Sequence, residues 1–154
     1  MDELQTFIGV KMIEARPMNY FRFKDYKKQS LGPEDKDQPG YLVRYPDGYE
    51  SWSPKDVFEA AYFPLEQKDS ISELDVEFFL DVLKTRVETL GEKTTILKAE
   101  TITGFTYVEG SSCVDPKNYN KELGAKICHN RVRDQVWEHL GFVLQWAKNG
   151  LHRG

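Results

Sequence analysis

The chain has 154 residues and a mass of 17.9 kDa, and it is 40% hydrophobic, 30% charged and 13% aromatic with a mean hydropathy of −0.60. That composition excludes a disordered, collagen-like or disulfide-stapled polypeptide, and at this length folding buries about 70% of the unfolded surface, enough for a core without staples. The net charge of −4 and isoelectric point near 5.4 lack the basic footprint of a duplex-DNA binder.

The predicted elements begin with a strand over residues 7–15, rich in apolar and β-branched residues and stopped by Pro17. Residues 24–40 are polar, with two prolines and two glycines, and predict a long surface loop. Strands over 41–45 and 49–52 flank Pro46-Asp47-Gly48, a hairpin turn in which Gly48 supplies the positive φ. Ser53 and Pro54 then read as the N-cap and first position of a short helix reaching about Tyr62, with Val57, Phe58, Ala61 and Tyr62 on one side.

Ser70 or Ser72 caps the next predicted helix, and the Ser70 to Glu73 spacing fits a capping box. An amphipathic stripe runs from Leu74 through Phe78, Val82 and Val87 to Leu90, with Gly91 as the residue after the helix. Strands over 94–101 and 105–109 form a second hairpin, and Gly110-Ser111-Ser112 loosens the chain behind it. A turn at Asp115-Pro116 leads to a long helix, capped by Asn118 or Asn120 and reaching about Asn149. Its predicted apolar row is Leu123, Ile127, Val132, Val136, Leu140, Val143 and Ala147. The expected architecture is therefore α+β: a small β-β-β-α module over 1–65, packed on a helix, β-hairpin and long-helix unit over 66–154.

The chemistry-bearing residues are sparse. His129, His139 and His152 are too scattered for a helical metal pair, and neither C-x-x-C nor H-E-x-x-H occurs, so no metal and no cofactor is assigned. Cys113 and Cys128 read as free thiols of a reduced compartment, and Met1-Asp2-Glu3 has no apolar run behind it, so no signal peptide and no membrane association are expected. Cys113 is a candidate nucleophile if His129 or His139 reaches it in space, and otherwise an apolar thiol at a strand end.

Lys126, Asn130 and Arg133 fall on one helical face at i, i+4 and i+7. With the Ser111-Ser112 loop they compose a candidate ligand-binding groove for a phosphorylated nucleotide; a solvated helix face is the alternative. The aromatics concentrate in the first module, with seven between Tyr41 and Phe63. Strict alternation sends Tyr49 and Trp52 to opposite faces; Trp52, Phe58 and Phe63 are expected in the core, leaving Tyr41 and Tyr49 as candidate partner-binding residues. Trp146 joins them, because the band of Trp137, Val143, Leu144 and Trp146 is wider than one hairpin covers, which predicts a homo-oligomer.

Over about residues 94–145 the chain resembles a family of small tailed-phage and prophage proteins of the coliphage and Shigella phage type. The residues that carry the resemblance are Thr94-Thr95-Ile96, Gly104-Phe105-Thr106, Val108, Ser111, Cys113-Val114-Asp115-Pro116, Tyr119, Glu122, Gly124, Lys126-Ile127, Trp137 and Gly141. The segments FIGVKMIEARPMN and GYESWSPKDVFEAAY are similar to another recurrent phage sequence. His129-Asn130-Arg131 departs from the small and acidic residues of the family pattern, and Glu138-His139 lacks a proline expected beside Trp137.

The resemblance implies a phage accessory protein in the cytoplasm of an infected or lysogenic bacterial cell, and it implies no catalytic residue. The expected function is non-enzymatic: stoichiometric binding that inhibits a host protein, a defence factor above all. A sponge for a phosphorylated nucleotide immune signal and a Cys113-dependent enzyme stand as alternatives.

Overall fold

A computed structural model describes residues 2–153. The described residues fold as α+β, with two three-stranded antiparallel sheets and four α-helices. It divides into two compact units, one holding the chain up to Pro64 together with the residues from Trp146, the other holding Leu65–Gln145.

In the first unit, β1 (Glu14–Pro17), β2 (Gly40–Arg44) and β3 (Glu50–Pro54) lie side by side in that order, flanked by α1 (Tyr20–Tyr26) and α2 (Lys55–Ala61). The turn at 46–48 forms as expected, with Gly48 at φ +91°. The first strand is shorter than its sequence predicts, and residues 7–13 join no ladder. The cause lies in β2: Glu14 is already opposite Arg44, the last residue of that strand, so residues before Glu14 have no β2 residue to pair with.

The second difference is α1, which occupies the start of the predicted 24–40 loop. Its N-terminus is capped from far away: Asp37 Oδ1 accepts a 3.0 Å hydrogen bond from the Phe21 amide, and Asn19 Nδ2 donates to the same carboxylate. Such a cap leaves no local sequence mark. Before α2, Pro54 rather than Ser53 is the N-cap, and no side chain caps it.

Both faces of this small sheet are covered. Leu42 pairs with Trp52, and the Tyr20 ring lies 4.9 Å from the indole. On the other face Tyr41 stacks on Phe58 of α2 at 4.1 Å. Gly40 makes the first arrangement possible, because a Cβ there would collide with the Trp52 ring and the Ser53 carbonyl.

In the second unit, α3 (Glu73–Asp81) is followed by β4 (Lys84–Leu90), β5 (Thr94–Glu100) and β6 (Thr106–Ser112), then a 3-10 turn at Pro116–Asn118 and α4 (Lys121–Asn149). Ser72 caps α3 in a reciprocal box with Asp75, whose other oxygen accepts from the Glu66 amide. The box therefore starts at Ser72, not Ser70. The predicted helix over the whole 74–90 stripe is corrected: it ends at Asp81, and its second half is a strand. Alternating Thr85, Val87 and Thr89 favour extended backbone, and Val87 is placed opposite Leu97. Gly91, at φ +66°, serves the β4–β5 turn instead of a helix end. The expected hairpin is thus a three-stranded sheet.

Its inner face presents Thr95, Leu97, Ala99 and Tyr107, and α3 adds Val76 and Leu80. The buried stripe of α4 is Gly124, Cys128, Val132 and Val136, four residues apart; of the predicted row, Val132 and Val136 are buried, Ile127, Leu140 and Ala147 are half-buried, and Leu123 and Val143 are exposed. Small residues lead because the helix approaches the sheet closely: a Cβ on Gly124 would overlap the Thr95 side chain. Asn120 caps α4 through a 3.1 Å bond from the Leu123 amide. No helix among the described residues is long and apolar enough to cross a membrane.

Candidate functional site

Two surfaces of the chain gather exposed aromatic side chains, one in each unit. In the second unit the β5–β6 turn carries Ile102 and Phe105, 59% and 55% exposed, because Gly104 at φ +89° closes the turn tightly. The Phe105 ring meets the edges of two neighbours, Tyr107 at 5.1 Å and His139 of α4 at 5.7 Å. His139 stacks on Tyr107, and its Nδ1 is 2.6 Å from the Tyr107 hydroxyl. One helical turn on, Phe142 is 70% exposed and Val143 45%. Phe105 thus borders a histidine that is hydrogen-bonded to a buried tyrosine, with Ile102 in the same turn as Phe105 and with Phe142 and Val143 one turn along α4 from His139. Burial raises the Tyr107 hydroxyl above its ordinary value, so it stays protonated at physiological pH and can donate to the imidazole.

In the first unit a cleft of about 620 Å³ opens between α1 and the β2–β3 hairpin. Beside it, Glu50 accepts from Lys27 Nζ at 2.8 Å, from the Tyr26 hydroxyl at 3.0 Å and from Arg44 at 3.0 Å. The Lys27 bond above all, with Arg44 and Tyr26, holds the Glu50 carboxyl down at about 2 against the opposing pull of burial.

The residues proposed from sequence are distributed over several elements. Ser111 and Ser112 do not form a loop; they are the last two residues of β6, paired with Thr95 and Thr94, and the Ser112 hydroxyl bonds Thr94 Oγ1 at 2.7 Å. Lys126 and Asn130 are exposed on α4. Arg133 on the same face is taken up by ion pairs with Glu77 and, at 2.9 Å, Glu73 of α3. Arg131, which the sequence did not single out, donates to the Gly110 carbonyl at 2.6 Å.

Of the aromatic candidates, Tyr41 is half-buried on Phe58 with its hydroxyl on Glu59, a hydrogen bond that raises its pKa. Trp146 is half-buried, and Tyr49 is 64% exposed. Tyr49 lies outside β3, so strict alternation does not apply to it, and it lines the same cleft as Trp52 rather than the opposite face.

Cys113 donates to the Asp115 carbonyl at 3.2 Å, while His139 is engaged with Tyr107. Cys128 is fully buried, and that burial raises its thiol pKa, which keeps it protonated. Both cysteines are free. Among the described residues no three of the His, Cys, Asp and Glu side chains gather as a metal site. The Ile102–Phe105–Phe142 patch was not anticipated from sequence. Its signal was a bulky ring directly after a turn glycine, legible only once the helix residue facing it is known.

The family model of the phage protein (N4 Gp49/phage Sf6 gene 66) family matches residues 55–147, from α2 to near the end of α4. No curated protein and no solved structure matches the chain. The chain belongs to the phage protein (N4 Gp49/phage Sf6 gene 66) family.

Proposed function

From that membership we propose that this phage protein is a non-enzymatic accessory protein that binds a host protein stoichiometrically and inhibits it, with a host defence factor as the target class. The observation that carries the reading is a patch of exposed apolar side chains within the family-matched residues: Phe105, whose ring meets that of His139, Ile102 in the same turn, and Phe142 and Val143 one turn along α4 from His139. Large exposed side chains on a well-packed scaffold are the usual anchors of a protein interface. The patch rests on a sheet turn and the interior of a long helix, both rigid supports, so it meets a partner with little ordering cost. Membership of a phage family supports a partner met in an infected bacterial cell.

The test is capture of a host protein from bacterial lysate by the wild type and by the double variant Phe105→Asp, Phe142→Asp, followed by titration with the purified captured protein. We expect a fixed stoichiometry, inhibition of the captured protein's activity and at least a tenfold loss of affinity in the variant, about 1.4 kcal/mol. The thermal midpoint of the variant should stay near that of the wild type, since both side chains are already exposed. Unchanged capture by the variant removes the patch from the interface. Light scattering that shows a dimer in the wild type and a monomer in the variant assigns the patch to a second copy of the chain instead.

A further inference from the structure

We propose that the cleft between α1 and the β2–β3 hairpin is a binding site for a nucleoside monophosphate, with the base against the Tyr49 and Trp52 rings and the phosphate on Lys24. This site lies outside the family-matched residues and is independent of the apolar patch on the second unit.

Three observations converge on it. The first is shape: about 620 Å³ falls within the ~300–1,000 Å³ of pockets that take small organic ligands. The second is the wall. Tyr20, Phe23, Tyr49 and Trp52 contribute four rings, none of them fully buried, and Tyr49 stands 64% exposed. A planar base is the ligand that such rings bind through their faces, whichever base it is. The indole is also fixed: Trp52 Nε1 donates to the Met18 carbonyl at 2.7 Å, and Tyr20 packs on the ring at 4.9 Å. The platform is therefore built before a ligand arrives.

The third is charge. Lys24 and Lys27 line the cleft together with one carboxylate, Glu50. Lys27 is committed to Glu50 at 2.8 Å, and Arg44 neutralises the other carboxylate oxygen. The second lysine, Lys24, sits 5.6 Å from the Tyr20 ring centroid and holds only a long 3.3 Å bond to Gln29. A cation beside an aromatic wall, with its acidic neighbour already compensated, is placed for an anionic group attached to a ring. The acidic overall balance of the chain makes this local excess of positive charge more selective for a compact anion than for an extended nucleic-acid backbone.

The experiment uses the full chain with Trp137→Phe and Trp146→Phe, which leaves Trp52 as the sole indole, and reads its fluorescence during titration with AMP, GMP, CMP and UMP. Adenosine, inorganic phosphate and a single-stranded decanucleotide are titrated in parallel. We expect saturable quenching by the monophosphates and binding at least tenfold weaker for adenosine and for phosphate alone. Tyr49→Ala should weaken the monophosphates about tenfold, the scale of one lost base–aromatic stack. Lys24→Ala should weaken them similarly, and less at high salt.

Calorimetry of the unsubstituted chain with AMP guards against an effect of the two Trp replacements. No heat and no quenching at millimolar nucleotide overturns the proposal. Phosphate binding as tightly as AMP overturns the role of the rings, and binding of the decanucleotide without the monophosphates overturns the assignment to a free nucleotide.

Discussion

The two sheets of this protein solve the same problem with different materials. The sheet of the second unit lies under two helices and buries Val76, Leu80, Leu97, Ala99, Tyr107, Cys128, Val132 and Val136 in one continuous cluster. The sheet of the first unit buries far less, chiefly Leu42, Val43, Met18 and Phe58, and relies on ring stacks and on the charge network centred on Glu50. Aliphatic burial is insensitive to pH and salt, whereas an ionised carboxylate with three donors depends on both. The difference teaches where each kind of perturbation acts: volume changes strike the second unit, and acid strikes the first.

The largest expected effect breaks the aliphatic cluster. Leu97→Ala removes a nearly fully buried side chain from β5 and should destabilise the protein by about 2 to 5 kcal/mol, read by denaturant unfolding. The next tests close approach. Gly124→Ala forces a methyl group into Thr95, whose hydroxyl is bonded to Tyr119 at 2.8 Å, and overpacking of this kind costs about 1 to 3 kcal/mol. A neutral outcome for Gly124→Ala would mean that α4 shifts away from the sheet freely, and the contrast between a tight and a loose unit would lose its basis.

Acid sharpens the comparison from the other side. The Glu50 carboxyl is held at about 2, below its ordinary value of 4.5, so its contribution to stability is complete above 4.5 and is lost as pH falls from there toward 2. Trp52 fluorescence during thermal unfolding should report a midpoint that drops through that window in a chain retaining Trp52 alone. Glu50→Gln should be less stable at neutral pH and flatter below 4.5. An equally steep acid response in the variant would move the cause to other carboxylates.

These contrasts also mark what the sequence could reveal. The hairpin at 46–48, the β5–β6 pair and α4 with its Asn120 cap follow from signals inside a few residues: a turn glycine, alternation, an Asx side chain ahead of an apolar row. The missed features depend on residues far apart. Helix α1 is capped by Asp37, strand β1 is cut short by the end of β2, and β4 is extended because β5 is beside it. In β4, Val87 and Leu90 fit a helical stripe as well as they fit a strand, and only the partner strand decides. The sites divide the same way. Tyr49 was legible as an exposed aromatic, while the cleft it lines needed α1. The pairing of Phe105 with His139 joins residues more than thirty positions apart, which no local pattern shows.

The smallest effect concerns Arg133, where sequence and structure assign one guanidinium to different partners. On the helix face it sits with Lys126 and Asn130 as an anion ligand; in the fold it bridges to Glu77 and Glu73 of α3. The carboxylates raise its already high pKa, Glu77 most, so the group is a permanent cation in either role. A partly exposed ion pair contributes little and is screened by salt, whereas a phosphate ligand stabilises only the state that binds it. Arg133→Gln should therefore cost far less than Gly124→Ala, and the difference from wild type should shrink further in high salt. Adding AMP at a fixed ionic strength separates the two roles. If the ion pairs are the whole of Arg133's work, the nucleotide raises the thermal midpoint of wild type and Arg133→Gln equally, through the Tyr49 cleft. A rise confined to the wild type would show that Arg133 leaves its carboxylates for the phosphate, and would return the nucleotide to the α4 face.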